Sequence, residues 1–177
     1  VHSKGLKFGF HIMRGIPREA VEKNLPIKGT KFHAADVADK VNVCRWEGME
    51  DTYGVDMSKP GAQAYYDSLA ELYASWGADY IKADDMSSPA RASEILGLHE
   101  ALQRSGRPIV LSLSPGPFHT EYADFLKTTA QLWRISWDFW DNWESLKRQF
   151  EIVHAWAPYV QPNSWPDADM LPLGHIG

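Results

Sequence analysis

Between Gly5 and Ile12 the apolar residues Leu6, Phe8, Phe10 and Ile12 alternate with Lys7, Gly9 and His11. That period of two predicts a β-strand, and the preceding "VHSKG" reads as a helix end running into it. From about Arg14 to Lys59 the pattern loses its period and predicts a long polar loop. Helical spacing returns in "PGAQAYYDSLAELYASWG", where Ala62, Tyr65, Tyr66, Leu69, Leu72, Tyr73 and Trp76 recur at steps of three and four. Gly77 stands where that helix ends. The chain then reads as strand "ADYIKAD", helix "PARASEILGLHEALQRSG" with Pro89 near its first turn and Gly106 at its end, and strand "RPIVLSLS". A helix from Glu121 to Thr129, strand "QLWRISW", helix "NWESLKRQFEIVHAWAPYV" and a terminal segment "QPNSWPDADML" continue the rhythm. Strands alternating with helices across short connections predict βα units and a parallel sheet.

The polar residues fall at one place in that rhythm. His11 and Arg14 follow the first strand, Asp84 and Asp85 the second, and Ser112 and Ser114 the third. Arg134, Ser136 and Asp138 follow the fourth, and Asp167 and Asp169 the last segment. Strand parity puts Tyr80, Lys82 and Asp84 on one face, Ser112 and Ser114 on one face, and Arg134 with Ser136 on one face, joined by Asp138 if that strand runs so far. Ionisable groups converging at strand carboxyl ends describe the active face of a (β/α)8 barrel. A doubly wound open sheet places ligands at the same ends, so the pattern alone leaves both open. No glycine-rich phosphate loop opens a helix, which disfavours a dinucleotide-binding domain.

Composition narrows the partner. The 177 residues make one domain or part of one, and a formal charge of −5 without a basic run excludes nucleic-acid and anionic-membrane partners. A small-molecule or oligosaccharide substrate fits better, with no cofactor and no metal expected; oligomeric state stays open. The single cysteine, Cys44, excludes an internal disulfide. No signal peptide or membrane span is visible, and a bacterial protein, cytoplasmic or secreted, is expected. Eight tryptophans are many for this length, and Trp133, Trp137, Trp140 and Trp143 crowd one short stretch. Indole faces suit core packing and also stacking on the C–H faces of sugars.

Two carboxylates beside a lysine, an arginine and tryptophans, without a His/Cys cluster, point to glycoside hydrolysis. That reaction needs one carboxylate at the oxocarbenium-like centre and a second to protonate the leaving oxygen. Parity sets Asp84 beside Lys82, whose charge keeps a carboxylate ionised, so Asp84 is the candidate nucleophile. Trp137, Phe139 and Trp140 surround Asp138 in sequence, and desolvation by such neighbours suits an acid/base. The plainer reading is that an aspartate after a strand caps the next helix; Asp141 is better placed for that duty than Asp138.

Together "VHSKGLKFG", "WGADYIKADD", "GRPIVLSLS", "LWRISWDFWDNWESLK" and "WPDADMLPLG" resemble glycoside hydrolase family 27, the α-galactosidases and α-N-acetylgalactosaminidases. The resemblance implies a (β/α)8 barrel and retaining hydrolysis through a covalent glycosyl-aspartate. By motif it implies Asp84 as nucleophile, Asp138 as acid/base, and Lys82, Arg134 and Asp169 as substrate-binding residues. It also marks departures. Relatives follow the nucleophile with Asn or Gly and then Cys, whereas this chain has "DDM", so a family disulfide is missing. Asp85 is expected to face away from Asp84 and to cap or brace a loop, with a metal bridging the two as the alternative. His11 stands where relatives carry tyrosine. Ser114 stands where galactose-preferring members carry Glu and N-acetylgalactosamine-preferring members carry Ser, a side chain small enough for a 2-acetamido group. Counted against the family, the chain supplies about five of eight βα units, an incomplete barrel, and is expected to be a partial catalytic domain. The alternatives are a relative with another glycone, a glucan or an arabinopyranoside, and a non-catalytic sugar-binding remnant.

Overall fold

The computed structural model describes residues 1–44, 48, 51–170 and 174. A 3-10 turn at His2–Lys4 closes on Gly5 and leads into strand β1, Gly9–Met13. There follow β2 (Ile16–Pro17), α1 (Arg18–Glu22), α2 (Ala34–Val37), β3 (Ala38–Val43), β4 (Thr52–Val55), α3 (Ala62–Ser75) and β5 (Tyr80–Asp84). The chain continues through α4 (Ala92–Arg104), β6 (Val110–Leu113), α5 (Ala123–Thr129), β7 (Leu132–Arg134), α6 (Trp143–Trp156) and β8 (Trp165–Asp167).

The main sheet has the order β1-β5-β6-β7-β8, every neighbouring pair parallel. Its strands lie side by side in chain order. A doubly wound sheet reverses that order at a switch point; here nothing reverses, which is the succession of a (β/α)8 barrel. The outward face of the sheet is apolar. Ile81 and Ala83 of β5, Leu113 of β6 and Trp133 of β7 are all fully buried, with Leu111 nearly so. Helix α4 covers that face with Ile95, Leu98, Ala101 and Leu102, the three-and-four spacing of one helical stripe. Each of the Ile and Leu side chains taken from water contributes roughly 1.5–3 kcal/mol, and the alanines less.

The described residues between Arg14 and Lys59 do not form one long loop. Strands β2, β4 and β3 form a second, antiparallel sheet in that order, with α1 and α2 beside it. Its core is Ile16, Val21, Ile27, Val37 and Val55, scattered one at a time among polar residues, so no window shows a period although each is buried. Gly15 makes the entry possible. Its φ is 90°, and a Cβ there would lie 1.9 Å from the Tyr53 carbonyl oxygen.

Two smaller expectations also change. Pro89 lies ahead of α4 rather than in its first turn, because the Arg91 amide is already satisfied by the Met86 carbonyl at 2.9 Å in a preceding turn. The cap of α6 is Asn142, whose side chain accepts from the Ser145 amide at 2.9 Å, and not Asp141. No described helix is long and apolar enough to cross a membrane.

At the amino ends of the strands, Asp79 ties three segments together. It accepts from the Phe8 amide at 2.8 Å, from His2 Nε2 at 2.7 Å and from Arg107 Nη2 at 2.7 Å. The Phe8 amide first, then His2 and Arg107, hold its carboxyl well below the usual carboxylate range. A depressed carboxylate stabilises the fold above its unfolded pKa and loses that contribution as pH falls through the folded value. Asp79→Asn is therefore expected to lower the urea midpoint at neutral pH, with the difference shrinking below about pH 4 as both proteins approach acid. Parallel curves down to acid would remove Asp79 from this role.

Candidate functional site

Strand register assembles the site. In β1 and β5, His11 lies opposite Lys82 and Met13 opposite Asp84; in β5 and β6, Lys82 lies opposite Ser112. His11, Lys82 and Asp84 thus share the face away from the helices, with Ser114 one step beyond β6. The carboxylate of Asp84, 14% exposed, has a donor on each oxygen. His11 Nε2 donates to Oδ2 and Ser114 Oγ to Oδ1. His11 and Ser114, expected to touch substrate, are therefore first of all partners of Asp84. Lys82 lies beside them on the same face and makes no ion pair among the described residues.

Asp85 does what was expected of a bracing residue, by a route the sequence concealed. Its backbone turns left-handed, φ 62°, directly after β5. Its carboxylate is taken by Arg14, at 2.8 Å from Nε and 2.7 Å from Nη2. This leaves Asp84 and Asp85 with different partners, the reverse of the shared metal weighed above. Arg14 also reaches Glu94 at 2.6 Å. Burial works against the Arg14 charge, but Glu94 and Asp85 outweigh it and hold the guanidinium above its ordinary pKa.

The second carboxylate departs from expectation. Strand β7 ends at Arg134, so Asp138 lies in the following loop and not on the strand. Its side chain is 57% exposed. The neighbouring indoles do not close over it, because Trp137 is 57% and Trp140 53% exposed themselves. Arg134, almost fully buried, orients it instead. Nη2 donates to Asp138 at 3.1 Å while Nη1 pairs with Asp169 at 2.9 Å. Asp169 in turn accepts from the Phe139 amide at 2.8 Å and donates its own amide to Asp167 at 2.8 Å, with φ at 70°. Arg134 and Asp169, expected to contact substrate, also form an internal bridge beside the loop that carries Asp138.

These two clusters meet in one cleft. Lys82, Asp84, Arg134 and Asp138, together with Trp137 and Trp140, line a space of about 520 Å³ at the carboxyl ends of β5 to β7. Two carboxylates across an open cleft, one clamped and screened, one exposed and aimed by a buried cation, can divide nucleophilic and proton-transfer roles between them. The flat indoles offer C–H stacking faces for a pyranose. Glu94 escaped the sequence reading, since a lone acid in a first helical turn looks like an ordinary helix-start residue. The signal that could have found the network is Arg14, a cation directly after β1, the strand that pairs with the one ending beside Asp85.

The residues from 33 to 177 match the family model described as alpha galactosidase A. Among solved structures, a β-L-arabinopyranosidase of glycoside hydrolase family 27 from Geobacillus stearothermophilus is 53% identical and superposes with a TM-score of 0.93. The match covers 99% of this chain and 41% of that one. A variant of the same enzyme, 52% identical here, has been solved in complex with arabinose. Alpha-galactosidase 2 of Arabidopsis thaliana is 31% identical over 128 residues, which is 71% of this chain and 32% of that protein. The chain thus spans less than half the length of the proteins it matches.

Proposed function

The chain belongs to glycoside hydrolase family 27, the alpha galactosidase A family, and from that premise we propose that it carries the catalytic carboxylates of a retaining glycosidase. The observation that carries the reading is the joint lining of one cleft by Asp84 and Asp138. Asp84 attacks the anomeric carbon and forms the covalent glycosyl ester. The bond to the aglycone oxygen breaks as the Asp138 carboxyl delivers its proton there. In the second half the Asp138 carboxylate takes a proton from water, and the resulting hydroxide displaces Asp84 with a second inversion, so configuration is retained. A carboxyl separation of about 5–5.5 Å belongs to this course. Lys82 and the two indoles would hold the glycone.

For the glycone, the β-L-arabinopyranoside is the first reading, because identity to the Geobacillus enzyme is 53% over 99% of the chain, against 31% over 71% for the Arabidopsis galactosidase. An α-D-galactopyranoside has the same ring configuration and adds one hydroxymethyl group, so it is the second reading. An α-N-acetylgalactosaminide is the third reading: Ser114 hydrogen-bonds Asp84, and its side chain is small enough to leave room for a 2-acetamido group. A panel of 4-nitrophenyl glycosides with the full-length protein decides. kcat/KM for the β-L-arabinopyranoside is expected to exceed that for the α-galactoside by at least about tenfold, the effect of one extra group against a pocket wall. The reverse order makes it a galactosidase, and no release from any pyranoside overturns the glycosidase reading.

A further inference from the structure

One residue past the candidate nucleophile stands a buried cluster of three charges that the reaction above does not use. The Arg14 side chain is 0% exposed, and Asp85 and Glu94 are 6% exposed each. Arg14 spends its fork on Asp85, on Glu94 and on the Asn42 carbonyl at 2.9 Å. The second oxygen of Glu94 accepts from the Val55 amide at 3.0 Å and the Tyr66 hydroxyl at 2.8 Å. The partners come from separate elements: Asn42 from β3, Val55 from β4, Tyr66 from α3 and Glu94 from α4, with Arg14 directly after β1 and Asp85 directly after β5. Gly54 is shaped to admit the fork, since a Cβ there would lie 2.6 Å from Arg14 Nη1.

The same arginine holds the backbone of Asp84. Its amide donates to the Asp84 carbonyl at 3.0 Å, where the β1–β5 ladder ends, and its guanidinium grips the next residue, Asp85, in a left-handed conformation. A strand end normally frays; this one is tied through main chain and side chain to a single buried cation. Packing alone would be served as well by apolar groups, because replacing a buried ion cluster with apolar residues of similar volume is often neutral or stabilising. Attack by a carboxylate, however, depends on placement within a fraction of an ångström, and a displacement of about 1 Å can cost about a hundredfold in rate.

We infer that Arg14 and Asp85 are positioning residues for Asp84: their ion pair fixes the main chain from which the nucleophilic carboxylate projects, while His11 and Ser114 fix its oxygens. The inference rests on Asp84 being the nucleophile. Glu94 holds Arg14 in place from the far side.

The test uses the full-length protein and an aryl glycoside that it turns over. Asp85→Gly removes the grip yet accepts the positive φ, and is expected to lower kcat by roughly a hundredfold with KM within about twofold. Asp85→Asn keeps an acceptor for Arg14 and tolerates the same φ, and is expected to recover kcat to within about tenfold of wild type. A role in stability alone would move the melting temperature of both variants and leave kcat, measured well below melting, unchanged; that result overturns the inference. If Asp85→Gly does not fold, Arg14→Lys takes its place: it keeps the charge but cannot bridge both carboxylates, and an unchanged kcat in that folded variant overturns the inference equally. Asp84→Asn run alongside separates the two readings. Turnover surviving in it condemns the nucleophile assignment, whereas turnover lost in it but unchanged in Asp85→Gly condemns only the positioning role.

Discussion

Asp84→Asn in the full-length protein is expected to lower turnover of an aryl glycoside by at least about a thousandfold, the scale of removing a nucleophile from a covalent mechanism. The geometry makes this a clean substitution. Asp84 is 14% exposed and both oxygens already receive donors, from His11 and Ser114, so an amide of the same shape keeps one acceptor and alters little else. The amide nitrogen faces a donor where the carboxylate oxygen accepted from it, which costs some stability; a melting curve accounts for that part separately. A truncated Asp84→Ala, which opens space at the anomeric carbon, is expected to regain turnover with azide and to yield the glycosyl azide of inverted configuration. Wild-type rates in Asp84→Asn would refute the assignment, and azide rescue without inversion would refute the double displacement.

Much of this site can be read from strand parity. Lys82 and Asp84 had to share a face, and register then brings His11 and Ser112 into the same row. The order of the parallel strands was legible too, from the alternation of period-two and helical segments. Asp138 shows where parity fails. It applies only while the chain stays extended, and β7 ends at Arg134, whose carbonyl accepts from the Phe118 amide outside the sheet while the Ile135 amide still donates to the Asp167 carbonyl of β8. The second sheet was hidden for a different reason. Ile16, Val37 and Val55 come from separate strands and helices, so their shared core exists only in three dimensions. Asp85 lies between these cases, since its bracing role followed from its facing away from Asp84, but its partner Arg14 lies 71 positions earlier.

Replacing Asp138 by Ala is expected to act selectively on the leaving group. A general acid matters in proportion to how badly the departing oxygen needs a proton. For a poor leaving group such as an alkyl alcohol, kcat/KM should fall by about a hundredfold to ten-thousandfold. For 2,4-dinitrophenolate, which departs as the anion, the first step should fall by less than about tenfold, and the slow step becomes hydrolysis of the glycosyl ester, visible as a burst of dinitrophenol. The structure predicts little collateral damage. Asp138 is largely exposed, and Arg134 keeps its buried partner Asp169 when Asp138 is removed. The guanidinium is then still neutralised, and Asp169 still holds the Phe139 amide. The opposite variant, Asp169→Asn, weakens the bridge that aims the loop and should depress both substrates alike. A uniform loss in Asp138→Ala across leaving groups would therefore assign that carboxylate to the scaffold rather than to proton transfer.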